Sequence, residues 1–79
     1  MINNQYTIAT LGSHSALQIL KGAYDEGFKT LVIALNKQIS FYKRYPFIDE
    51  IIGINSFAQF PEIEEKLKNK KIIVIPHGS

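Results

Sequence analysis

The sequence predicts a small α/β domain built on a parallel sheet of the doubly wound type. Three observations predict it. Four β-prone apolar runs recur along the chain, and two stretches between them carry apolar residues at helical spacing. The strands also lack polar/apolar alternation, which is the pattern of strands covered by helices on both faces.

Residues 6–11 are mostly apolar and stop at Gly12-Ser13, which reads as a buried strand. Residues 15–26 follow as a helix. Ala16, Leu17, Ile19, Leu20, Ala23 and Tyr24 fall at i, i+3, i+4, i+7 spacing, so one face is apolar. Ser13 is placed to cap its start and Gly27 to end it. Residues 28–35, the run F-K-T-L-V-I-A-L, make a second buried strand.

Residues 36–49 read as a short helix or a loop. Phe41, Tyr42, Tyr45 and Phe47 lie there among Lys37, Lys43 and Arg44, and Pro46 interrupts any long helix. Residues 50–54 form a third, shorter strand. A second helix is predicted over 60–70, with Pro61 in its first turn and Phe60, Ile63 and Leu67 as its buried stripe. Glu62–Lys66 and Glu64–Lys68 are i,i+4 pairs in the favourable orientation. Residues 71–75 are a fourth, aliphatic strand, closed by Pro76-His77-Gly78-Ser79. The order is β-α-β-β-α-β, with the short segment before the third strand.

Seventy-nine residues make one domain at most. A chain of that size buries roughly 60% of the surface its unfolded form exposes, so its stability is marginal. Hydrophobic residues at 46% and charged residues at 20% are ordinary for a globular protein. The absence of cysteine excludes disulfides and thiolate metal sites and points to the cytoplasm. No apolar run approaches the ~20 residues that span a bilayer, so no membrane partner is expected. Net charge is +2 and the nine basic residues form no long run, so no nucleic-acid partner is expected either. Lys68, Lys70 and Lys71 cluster where a helix C-terminus favours cations anyway. Two helices and an irregular segment are little cover for a four-stranded sheet, and the expectation is that the natural chain continues past Ser79.

Two loops stand out, because each follows a strand and carries Gly, Ser and His. They are Thr10-Leu11-Gly12-Ser13-His14-Ser15 and Pro76-His77-Gly78-Ser79. With a strand order of 3-2-1-4 they face each other across the crevice where strand order reverses, the usual ligand site of such sheets. The chemistry suits an anion. Gly12 admits close backbone approach, the helix start offers free N–H groups, and Ser13, Ser15 and Ser79 offer hydroxyls. His14 and His77 can donate to a phosphate or bind ribose hydroxyls. The plainer reading is that Ser13 is only an N-cap, Gly12 and Gly78 only turn glycines, and His14 an exposed loop residue. Lys43 or Arg44 could reach a phosphate, or could lie in a solvated loop with tyrosines covering the sheet. Asp49 and Glu50 read as loop-end charges.

Other chemistries fit less well. His14 and His77 lack a third metal ligand at suitable spacing, and no acidic residue in these loops could orient a histidine for nucleophilic catalysis. The first turn lacks the second and third glycines of G-x-G-x-x-G, and Asn36 stands where a dinucleotide enzyme has Asp or Glu. The strand ends also lack the acidic cluster of a phosphoacceptor domain.

The run from Ile8 to Ala23, with T-L-G-S-H-S at its centre, resembles the N-terminus of the archaeal-type formate-dependent ligase family PurP. Glu26-Gly27-Phe28, Tyr42-Lys43-Arg44 and Pro76-His77-Gly78-Ser79 extend the resemblance over nearly the whole chain. Members are 5-formaminoimidazole-4-carboxamide ribonucleotide synthetases. The resemblance implies that residues 1–79 are an N-terminal Rossmann-like preATP-grasp domain, with the ATP-grasp domains absent from this chain. The implied reaction activates formate with ATP, through formyl phosphate. The 5-amino group of aminoimidazole carboxamide ribonucleotide (AICAR) then attacks, giving the formamido product FAICAR, ADP and phosphate. ATP and Mg²⁺ are implied to bind in the missing domains, and the full-length protein to be a homo-oligomer. His14 and Ser79 match positions that contact AICAR; Gly12, Ser13, Gly78 and Lys43 are further candidates from their placement. No residue of this chain is expected to be catalytic. Two alternatives stay open: a related ATP-grasp ligase for another ribonucleotide, and a non-catalytic interaction module.

Overall fold

In the computed structural model the described residues are 6–12, 15–68 and 71–75. They run β1 (Thr7–Leu11), α1 (Ala16–Asp25), β2 (Lys29–Leu35), a 3₁₀ turn (Asn36–Gln38), α2 (Ile39–Lys43), β3 (Glu50–Ile54), a second 3₁₀ turn (Phe57–Gln59), α3 (Phe60–Leu67) and β4 (Ile72–Ile75). All strand pairings are parallel, as the sequence predicts, and the sheet order is β3-β2-β1-β4, the order under which the ends of β1 and β4 become neighbours. Every crossover is helical. The 36–49 segment resolves into a 3₁₀ turn and a five-residue helix, completing a β-α-β-α-β-α-β order.

Alternate residues of β2 divide the core into two. Leu31 and Ile33 face one side, where they pack with Ala9, Ile54 and Leu67, and where Phe60 and Ile63 of α3 close the cluster. Val32 and Ala34 face the other, against Ala16 and Leu20 of α1 and Tyr42 of α2. Helices therefore cover both faces, and the two-sided apolar character of β2 follows from that. β4 is less covered. Ile72 and Val74 point toward α3, while Ile73, on the opposite face, is 47% exposed.

Local chemistry sets the element ends. Gly27, at φ 93°, closes α1. Its N–H donates to Tyr24 O (3.0 Å) and the Phe28 N–H to Ala23 O (3.0 Å), the paired bonds of a Schellman motif. At the other end Ser15 occupies the N-cap without a side-chain cap bond; the capping expected of Ser13 lies outside the described residues. The third helical segment starts earlier than residue 60. Ser56 Oγ accepts the Ala58 N–H (3.0 Å) and Gln59 Oε1 accepts the Ser56 N–H (3.2 Å), so a 3₁₀ turn precedes α3.

Two expectations about charge are corrected. Among the described residues neither Glu62–Lys66 nor Glu64–Lys68 forms an ion pair; Lys68 meets Glu65 at 3.5 Å, with both side chains exposed. Such exposed pairs contribute little, so nothing forces one spacing over the other. Asp49 is more than a loop-end charge. Its Oδ2 accepts the N–H of the fully buried Thr30 (3.0 Å), and its own N–H donates to Thr30 Oγ1 (2.9 Å). This reciprocal pair fixes the entry of β3 beside the start of β2.

Candidate functional site

The site is defined by where β1 and β4 end. They are adjacent and parallel, with Thr10 opposite Ile75, and Thr10 Oγ1 donates to Ile75 O at 3.2 Å. The segments that leave these strands therefore depart from one sheet edge, side by side. This is also where strand order reverses, since β2 and β4 lie on opposite sides of β1. The crossover helix to β2 covers one face and the helix before β4 the other.

Of the expected site residues, Ser13, His14, Gly78 and Ser79 lie outside the described residues, as does His77. Gly12 is described and buried, at the end of β1. Its N–H donates to Ile33 O (2.7 Å), which holds the chain against β2 as it turns toward α1. Ser15 follows at the α1 N-cap and its carbonyl accepts the Ile19 N–H (3.0 Å). The first turn of α1 carries no acidic residue, so its positive end faces the edge without a competing charge. Lys43 and Arg44 are exposed at and just past the end of α2. Asn36, beyond β2, donates from Nδ2 to Asn55 Oδ1 (2.7 Å).

Tyr42 is the residue the sequence argument undervalued. It is 4% exposed, and its ring projects from α2 across the sheet edge to Gly12. A Cβ built on Gly12 would lie 3.0 Å from the Tyr42 hydroxyl, 3.2 Å from its Cε2 and 3.3 Å from the Ala34 Cβ. Burial, and then the neighbouring Tyr45, push the phenol pKa above its ordinary value. Tyr42 is the one ring of the 41–47 aromatic group that its own short helix turns inward.

Among the described residues no three His, Asp or Glu side chains gather as a metal site, and no helix is long and apolar enough to cross a membrane. At the described edge stand the buried Gly12, Ser15 and the start of α1.

The chain is 53% identical over 72 residues to the 5-formaminoimidazole-4-carboxamide-1-(beta)-D-ribofuranosyl 5'-monophosphate synthetase of Saccharolobus solfataricus, covering 91% of this chain and 21% of that protein. Identity to the synthetase of the same name from Nitrosopumilus maritimus is 44% over 75 residues, with 92% and 22% covered. The chain thus spans about a fifth of the length of these relatives, at their N-terminal end. Among solved structures, an IMP biosynthesis protein PurP from Thermococcus kodakaraensis superposes with a TM-score of 0.62 at 28% identity, over 85% of this chain and 28% of that one. The resemblance read from the T-L-G-S-H-S and P-H-G-S stretches is borne out. A family model described as "Protein of unknown function (DUF1246)" matches residues 8–79, nearly the whole chain, and the chain belongs to that family.

Proposed function

We propose that this chain is the ribonucleotide-holding part of an ATP- and formate-dependent synthetase that converts AICAR to FAICAR. One observation carries the reading. In a chain this similar to named synthetases, β1 and β4 end side by side at the strand-order reversal, so both Gly-Ser-His loops start from one edge. In this reading His14 and Ser79 hold the ribonucleotide from the two loops. Gly12 lets the chain turn close to its phosphate, Ser13 and Gly78 bring backbone N–H groups to it, and Lys43 adds positive charge from α2. The chain's contribution is binding and orientation, which places the 5-amino group for attack on activated formate. ATP and Mg²⁺, which supply that activation, belong to parts of the synthetase beyond these residues.

Isothermal calorimetry on a full-length synthetase carrying this chain tests the proposal. AICAR should bind, and His14→Ala should weaken AICAR binding by about tenfold or more while leaving ATP binding unchanged. A folded protein that binds no AICAR would rule the reading out. Equal losses of AICAR and ATP binding would count against the role of His14. Profiling other ribonucleotides in the same assay separates AICAR from a related substrate.

A further inference from the structure

Ile73 stands on a part of the sheet that the described helices leave open. Ile72 and Val74 pack toward α3, while Ile73, between them, is 47% exposed on the α1 side. Its register partner on β1 is the buried Ile8. On α1, Tyr24 meets Phe47 at 6.3 Å between ring centroids, so that flank of the helix is turned toward the segment before β3. Helical spacing turns the opposite flank, with the half-buried Ile19 and Ala23, toward β4. One turn on from Ile19 is Gly22, exposed in the middle of α1. A Cβ built there meets no atom within 4 Å, and Gly22 has no positive φ. Neither space nor backbone conformation among the described residues calls for glycine, which weakens a helix interior relative to alanine.

The hand of the crossovers limits what can cover this face. β1-α1-β2 and β2-α2-β3 step one way with their helices on one face, and β3-α3-β4 steps back with its helix on the other. The right-handed rule would put the helix leading to any further strand outside β4 on the α3 face again. Extending the sheet would therefore leave Ile73 and Gly22 uncovered. We propose that the face formed by Ile73, Ile19 and Gly22 seats an apolar surface from the later part of the same polypeptide, with Gly22 admitting that segment's backbone close to α1. The proposal rests on the reading of this chain as part of a longer synthetase, since it spans about a fifth of the length of the relatives it matches. A second copy fits less well. A stable interface between separate molecules takes about 20–30 residues on each side, and this opening is a few residues wide. A tethered segment needs less contact, because its own chain holds it at high effective concentration.

Thermal melting and sedimentation of the full-length synthetase carrying this chain test the proposal, with Gly22→Ala, Gly22→Leu and Ile73→Thr. On a free helix face alanine and leucine both strengthen α1 and raise the melting midpoint. Against a docked segment they should lower it, by about 2 °C or more for alanine and further for the larger leucine. Ile73→Thr keeps a β-branched residue and should lower the midpoint by about 2 °C as well, where the same change on an open surface moves it little. The sedimenting mass should stay that of wild type in all three variants. A Gly22→Ala midpoint at or above wild type, or an Ile73→Thr midpoint equal to it, overturns the inference. Lower midpoints with a smaller sedimenting mass overturn it too, and give the face to a second copy. Should Ile73→Thr not fold, Gly22→Ala decides, since nothing within the domain opposes the added methyl. These measurements do not involve AICAR. If the midpoints fall as expected in a protein that binds no AICAR, the ribonucleotide reading fails and the docking face stands.

Discussion

At Gly27 the chain turns through φ 93°, and two backbone bonds depend on that turn. Gly27→Ala should destabilise the folded protein by about 1 kcal/mol, read as a lower thermal midpoint. Gly27 was legible as a helix stop because a glycine just after an amphipathic stretch has one common use. Asp49 was not legible in the same way. Its partner, Thr30, is distant in sequence and buried, and only the pairing of β3 with β2 brings the two together. Asp49→Ala strips the buried Thr30 N–H of its side-chain acceptor and should cost about 1–3 kcal/mol in urea denaturation. Tyr42 gives a pH signature. Its folded-state pKa lies above the ordinary 10.0, so the folded protein holds this proton more tightly than the unfolded chain does. The associated stability is complete below about pH 10 and is lost as pH rises from there through the folded value. Tyr42→Phe should flatten that alkaline loss in a series of melting curves.

Among the elements, those with a strong apolar period were readable within a residue or two. β3 occupies the predicted 50–54, and α1 spans Ala16–Asp25 within the predicted 15–26. The 60–70 helix is shorter than its pattern suggests, with α3 ending at Leu67, the last residue of its buried stripe. The α2 region resisted because five helical residues are too few to show a period, and its aromatics point several ways. Phe41 is exposed while its neighbour Tyr42 is buried. Ser56 and Gln59 were a readable capping pair, hidden by the attention Pro61 draws as a helix start. α1 anchors its face of the sheet through Ala16 and Leu20, both fully buried. Leu20→Ala should therefore cost about 2–5 kcal/mol, a large share of a small domain's stability, and should show as a much lower denaturation midpoint.

For the molecule as a whole, the parallel α/β class was readable from the sequence, while the sheet order that matters most for function was one arrangement among the few it allows. Buried strands alternating with helices allow few parallel arrangements, and the 3-2-1-4 order puts the two Gly-Ser-His loops on neighbouring strands. What the order does not reveal is that Tyr42 lies against Gly12. The exposed Ile73 face of β4 marks the side on which these residues alone give least cover. The central claim is that the segments after β1 and β4 share one sugar-phosphate ligand. A crystal structure of the full-length synthetase with AICAR measures this most directly. The account predicts the ribonucleotide in contact with both His14 and Ser79, each within about 3 Å of one of its polar atoms, and with its phosphate at the start of α1. AICAR bound elsewhere, touching neither loop, would contradict it.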